Sequence, residues 1–246
     1  MSKDLFSTQA ATYAKYRPGY PEELFEYILE FVSEKNTAWD CATGNGQAAF
    51  SLAPHFNKVF ATDISEMQLA LAKQHVHIQY QISSAEQTHF PDNFFDLVTV
   101  AQAYHWFRFD DFKKEVYRVA KKNAVIAIWG YNLFSTNNKA IDNLVKSFYT
   151  GIVGPYWDAE RKYIDDNYKT VPFNFTLLPT KQFFIKEEWS KKDVIGYLNS
   201  WSSVQHFIDA KKYNPLDKII KELDLLWKDN QPVSFPLFLK LGKVNK

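Results

Sequence analysis

Two glycines, Gly44 and Gly46, follow the run Ala38-Trp39-Asp40-Cys41-Ala42-Thr43 and lead into Gln47. The chain holds only 8 glycines in 246 residues, less than half the usual ~7%. A close pair therefore marks a place where the backbone turns tightly or approaches a ligand. A strand that passes through such a loop into a helix aims unpaired N–H groups at whatever sits there. Asp63 ends the next apolar run, close to the ~20-residue spacing at which dinucleotide folds place the acid that grips ribose hydroxyls. A bare turn beside a surface acid explains either feature alone. Strand, glycine pair, helix and acid in register point instead to a bound nucleoside. Ala49 stands where the dinucleotide fingerprint has its third glycine, a replacement that fingerprint tolerates, so on the loop alone a nicotinamide cofactor stays open.

Other residues are candidates for the reacting side. His105-Trp106-Phe107 follows the apolar run Phe95–Ala101 and so falls on the rim where α/β sheets bind ligands. His105 is a candidate general base for an acceptor that must lose a proton, and Trp106 a candidate face for a cation. The competing reading is an aromatic plug between sheet and helix. Arg17, one of four arginines, lies among Tyr13, Tyr16 and Tyr20; it suits a carboxylate clamp, or else a surface cation packed on tyrosines. Trp157 and Ser200-Trp201-Ser202-Ser203 are on the substrate side by position only, and packing accounts for them as well. His55, His75, His77 and His89 offer nothing beyond a weak His75-x-His77 pair, so no metal is expected.

These residues need elements to position them. Pro21–Ser33 has helical spacing, with Pro in its first turn. Thr37–Ala42 is a short apolar run, and Gln47–Ala53 a helix stopped at Pro54. Lys58–Thr62 and His77–Ile82 read as strands around a helix at Glu66–Gln74. Phe95–Ala101 predicts a central strand covered on both faces. Phe109–Ala120 is helical, and Asn123–Trp129 is a fifth strand. This alternation predicts a doubly wound, mostly parallel α/β sheet of the Rossmann-like kind. Past Gly130 the rhythm breaks into a helix at Lys139–Tyr149 and an aromatic stretch running to Pro179. A strand at Lys181–Trp189, helices at Lys191–Ser200 and Pro215–Trp227, and a strand at Val233–Leu241 then predict an antiparallel finish.

Composition narrows the classes. Lys+Arg 29 against Asp+Glu 28 leaves a net charge of +1, which gives no support for nucleic-acid or anionic-membrane binding. The single cysteine, Cys41, excludes an internal disulfide framework and a cysteine-based zinc site. The opening residues carry no apolar targeting run, so the expectation is a cytoplasmic protein whose partner is a small molecule; the residues give no sign of its oligomeric state.

The loop Asp40-x-x-x-Gly44-x-Gly46, Asp63-Ile64-Ser65, Ser84-Ala85-Glu86 and the stretch from Asp96 through Gln102 to His105-Trp106-Phe107 resemble the motifs of class I S-adenosylmethionine-dependent methyltransferases. The small-molecule branch that includes trans-aconitate-methyltransferase-like proteins is the nearer likeness, its opening being similar to Phe6…Ala11-Thr12-Tyr13…Tyr16-Arg17-Pro18-Gly19-Tyr20-Pro21. Ala42 departs from the pattern, since the family carries glycine there. The resemblance implies a single seven-stranded domain with a cap at 1–20 and a lid insertion at 131–180. It implies S-adenosylmethionine as cofactor, Asp63 on the ribose, and Ala42, Gly44 and Gly46 along the methionine portion. Asp40 would hold the cofactor's amino group, directly or through water, Ala85 and Glu86 would flank adenine, Ile64 and Met67 would touch its face, and Gln102 would line the methionine arm. Tyr13, Arg17, Trp106 and Trp201 fall to the substrate or its carboxylate, and the acceptor is a carboxylate or a hydroxyl. Two rivals remain at this point: a nicotinamide-dependent oxidoreductase and a non-catalytic cofactor-binding protein.

Overall fold

The computed structural model describes residues 15–246. Tyr13 and most of the expected 1–20 cap lie outside that range. Seven main strands form one sheet: β1 (Thr37–Cys41), β2 (Lys58–Asp63), β3 (Ile78–Ile82), β4 (Phe95–Ala101), β5 (Ala120–Tyr131), β8 (Phe183–Trp189) and β9 (Gln231–Lys243). Two-residue strands β6 (Ser135–Thr136) and β7 (Thr176–Leu177) also pair with β9. The order is β3-β2-β1-β4-β5-β9, with β8 along the outer side of β9. The first five strands are parallel, and β9 runs antiparallel to β5 and β8.

Both sheet faces are covered, as a parallel sheet requires. Helix α1 (Glu22–Leu29) turns Leu24, Phe25, Ile28 and Leu29 inward, packing with α2 (Gln47–Leu52) over one face. Helix α4 (Phe109–Val119) lays Phe112, Val116 and Val119 on the other, against Trp39, Phe90 and Phe95. Neighbouring Ala38 and Trp39 serve opposite cores, the period-two alternation of a strand. The buried Trp39 indole donates to Thr62 Oγ1 at 2.8 Å, so the largest side chain under β1 leaves no polar atom stranded.

Some elements differ from the sequence expectation. Helix α3 (Glu66–Ala70) stops short of Gln74; the Lys73 carbonyl instead accepts from the Tyr80 hydroxyl at 2.8 Å. The Lys139–Tyr149 helix is α5 (Lys139–Ser147), which continues as a wider π turn over Phe148–Ile152. Helix α6 (Arg161–Asp165) lies inside the aromatic stretch. Helix α7 (Lys191–Asn199) is as expected and opens with a Ser190–Asp193 capping box, but α8 (Ser202–Lys211) is an element that the serine-rich run 200–203 concealed. The last predicted helix divides into a 3₁₀ turn at Pro215–Lys218 and α9 (Ile220–Leu226).

Candidate functional site

The site is built first by the β1–α2 loop. Asp40 is fully buried. Its carboxylate accepts from Thr43 Oγ1, from the Ala49 amide at 3.1 Å and from Thr99 Oγ1 at 2.8 Å. It therefore staples the loop to α2 and β4 from beneath. Burial pushes its pKa up from 3.8 to about 6, against the pull of those hydrogen bonds. Above the staple the backbone is left-handed at Ala42 (φ 54°), Gly44 (φ 56°) and Gly46 (φ 79°). A Cβ on Gly46 would overlap the Tyr80 ring, whereas one on Gly44 would meet only Gln68 Oε1 at 3.9 Å. One glycine is needed by packing and the other keeps the cleft open.

Asp63, at the end of β2, accepts from the Gly44 amide at 2.8 Å and the Ser65 amide at 2.9 Å. The acid and the glycine loop are thus one rigid unit. Gln102, after β4, is also left-handed (φ 54°); its side chain accepts from the Tyr131 amide at 2.8 Å and donates to the Tyr131 carbonyl at 3.3 Å. Two non-glycine residues held in this conformation on one cleft are the kind of strain that collects at functional sites. The cleft runs along the carboxyl ends of the strands, between Ala42–Asn45, Asp63–Ser65, Ser83 and Ala85 on one side and Gln102, Trp106, Phe107, Arg17 and Tyr131 on the other.

A second, smaller chamber opens beyond it. Arg17, Gln102 and Trp106 form the wall common to both. His105, Trp157, Asp158, Arg161 and Ser202 complete its lining. Arg17 donates to the Ser200 carbonyl at 3.1 Å and to the Tyr131 hydroxyl at 3.3 Å, with its guanidinium 5.3 Å from the Tyr197 ring centre. His105 is 7% exposed, and its Nδ1 is 2.8 Å from the Tyr168 hydroxyl. Burial, helped by the Arg161 charge, pushes its pKa down from 6.5 to about 3.

Residues 39–128, from β1 into β5, match the family model described as a methyltransferase domain. A protein of Dictyostelium discoideum named as a methyltransferase is 34% identical over 98% of this chain and 95% of its own. The solved structure of a protein from Anaeromyxobacter dehalogenans, described as a type II methyltransferase, superimposes with a TM-score of 0.86 at 33% identity, covering 94% of this chain and 99% of that one. The chain belongs to the methyltransferase family. A Saccharomyces cerevisiae protein named as an S-adenosylmethionine-dependent methyltransferase is 23% identical over 68% of this chain and 59% of its own. A Haemonchus contortus phosphoethanolamine N-methyltransferase solved with S-adenosylhomocysteine shares the fold alone, at 16% identity and a TM-score of 0.50 over 98% of this chain and 60% of that one. The nicotinamide-dependent oxidoreductase and the non-catalytic binding protein are set aside by these likenesses.

Within the methyltransferase, the expected residues fall into three groups. Ala42, Gly44, Asp63, Ile64, Ala85, Gln102, Arg17 and Trp106 line the cleft. Asp40, Gly46, Glu86 and His105 stand directly behind or beside it. Glu86 is buried beside Ala85; its Oε1 accepts from the Arg108 amide at 3.1 Å, while its Oε2 has no partner among the described residues. Two expectations are corrected. Met67 is 53% exposed and does not line the cleft, because the short α3 turns it outward. Trp201 is 2% exposed, buried among Phe148, Tyr149, Trp157 and Tyr197, so it supports the chamber wall without lining it. Asp40 is fully buried under the loop and does not line the cleft. Sequence reasoning missed Gln68, Tyr131, Asp158 and Arg161 on the two linings; only the scarcity of arginine could have singled out Arg161. No helix of the described residues is long and apolar enough to cross a membrane.

Proposed function

We propose that this methyltransferase acts on a small-molecule acceptor seated in the chamber beyond the cofactor cleft, with a carboxylate or hydroxyl as the methylated group. The observation that carries this reading is the shared wall: Arg17, Gln102 and Trp106 border both spaces, so a group in the chamber lies next to one in the cleft. The residues fit the cofactor. The open side of Gly44 leaves room for its methionine portion against the backbone, the Asp63 carboxylate suits paired ribose hydroxyls, and the unpartnered Glu86 Oε2 suits the adenine amino group. Ala42, Ile64, Ala85 and Gln102 supply apolar and backbone walls, and Asp40 and Gly46 hold the loop's shape.

When bound, S-adenosylmethionine supplies a methyl group on a sulfonium, already an excellent leaving group. The chain's contribution is alignment of the acceptor. Trp106 is on the common wall, and cations are attracted to aromatic faces. His105 is a weak base in this setting, because the imidazolium it would form is buried beside Arg161. An acceptor that arrives ionised, such as a carboxylate, is therefore favoured over one that must be deprotonated. The segment 131–180, which supplies Trp157, Asp158 and Arg161, serves as the lid. Incubation with methyl-labelled S-adenosylmethionine and a cell extract, with and without the protein, tests the reading: protein-dependent label is expected in small molecules resolved chromatographically from the donor, and protein-dependent label confined to macromolecules would overturn it.

A further inference from the structure

The chamber holds opposite charges that do not meet. Asp158 and Arg161 are joined by one turn, the Arg161 amide donating to the Asp158 carbonyl at 2.9 Å, and both side chains line the same space. Among the described residues they form no ion pair with each other; Arg161 Nε lies 2.6 Å from the Tyr149 hydroxyl and 3.4 Å from Asp165 Oδ1. The guanidinium is stacked 4.7 Å from the Trp157 ring centre and 5.3 Å from that of Tyr149. Every contact it makes among the described residues goes through Nε or its face, and none through the two terminal nitrogens. Those nitrogens form the fork that matches a carboxylate. Asp158 is 11% exposed, and among the described residues its Oδ2 has no hydrogen-bond partner, with His206 Nδ1 3.9 Å away. Ser202 opens α8 at the same chamber, and no side chain caps that helix, so its N-terminal dipole adds to the field of Arg161. His105 is neutral there.

Stacking fixes the orientation of Arg161, and burial raises the cost of leaving the Asp158 oxygen unpaired. A ligand that carried only an anion would satisfy the first and leave the second. We propose that Arg161 and Asp158 form a two-point receptor for the acceptor, which is a small carboxylic acid that also carries a hydrogen-bond donor, as hydroxy acids and amino acids do. The carboxylate lies on the Arg161 fork and the start of α8; the donor lies on Asp158. The inference rests on the small-molecule reading above.

The test measures binding by calorimetry to protein saturated with S-adenosylhomocysteine. Malate, mandelate and phenylalanine are compared with succinate, phenylacetate and 3-phenylpropanoate, which lack the donor, and with malamide, mandelamide and phenylalaninamide, which lack the carboxylate. At least one donor-bearing acid is expected to bind about tenfold or more tightly than both of its counterparts. Arg161→Leu should remove the preference for acid over amide, Arg161→Lys should restore part of it, and Asp158→Asn should remove the preference for the donor. Affinity for S-adenosylhomocysteine should be unchanged in all three variants, which separates loss of this receptor from loss of the fold. Equal binding of acid and amide, no advantage for the donor, or an Arg161→Leu variant that still prefers acids would overturn the proposal. Labelled neutral molecules with no acid bound would overturn it and leave the small-molecule reading standing. Label confined to macromolecules would remove both.

Discussion

At the scale of single residues, the site is governed by what burial does to charge. Asp63 meets two backbone amides and the cleft, so Asp63→Ala should cost S-adenosylhomocysteine roughly 1.5–3 kcal/mol of binding, the range for a hydrogen bond to a charged group. Calorimetry on a variant with an unchanged melting curve checks this, and undiminished affinity would take Asp63 out of the site. His105 gives a prediction in pH. Its pKa is lowered from 6.5 to about 3, so it stays neutral between about pH 5 and 8 and the rate should show no inflection near 6.5. His105→Gln should lose less than the ~100-fold expected of a general base. A fall centred near 6.5 that disappears in the variant would identify His105 as the base after all. Stability carries the opposite sense of the same shift. Between pH 6.5 and about 3 the unfolded chain binds a proton that the folded chain refuses, so this stabilisation is complete above pH 6.5 and is lost as pH falls through that window. His105→Gln should flatten the acid limb of the melting curve against pH.

At the scale of elements, the parallel half of the sheet was legible because its signals are local. The apolar run Phe95–Ala101 is β4 to the residue, and the Gly44–Gly46 pair marked the strand-to-helix turn. The chamber was far less legible. Arg161, Asp158 and Tyr131 converge with Arg17 through packing between segments distant in sequence, and no spacing rule reports that. Helix α8 was hidden for another reason: its first residues are serines, which read as a turn until Val204 and Phe207 are seen to face inward. The β1–α2 loop also carries a testable cost. Ala42 sits at φ 54°, where a Cβ meets the neighbouring carbonyl and costs about 1 kcal/mol relative to glycine. Ala42→Gly should therefore stabilise the fold by about that amount in urea titration, provided its own unfolded-state entropy does not cancel the gain. A loss of stability would show that the Ala42 methyl is held by the cleft wall.

At the scale of the whole molecule, the chamber exists only because distant segments are tied over the sheet. The first described residues reach the C-terminal half: Tyr16 packs so closely on α7 that a Cβ on Gly196 would fall within its ring, and Arg17 donates to the Ser200 carbonyl. On the other side the 131–180 segment is tied to the β4 rim by the Tyr104 hydroxyl donating to the Pro172 carbonyl at 2.8 Å and by the His105–Tyr168 contact. Both segments contribute the inner wall, 131–180 through buried side chains that include Ile141, Phe148, Val153, Ile164 and Tyr168, whereas the cofactor cleft is built on strand ends. Walls drawn from segments outside the parallel strands are the parts that a site closing on its ligands to exclude water would order. Amide hydrogen exchange should therefore slow in residues 15–20 and 131–180 when S-adenosylhomocysteine binds, and slow further when an acceptor fills the chamber. Exchange in β1, β4 and β5, already buried on both faces, should hardly change. Gly196→Ala gives the matching perturbation, since it displaces Tyr16 beside the Arg17 of the common wall; the acceptor's KM should rise and S-adenosylhomocysteine affinity should fall with it, because coupling between ligand and segment is reciprocal. Equal exchange in the two segments with and without both ligands, together with an unaltered KM, would mean that the chamber is preformed and that these walls do not gate it.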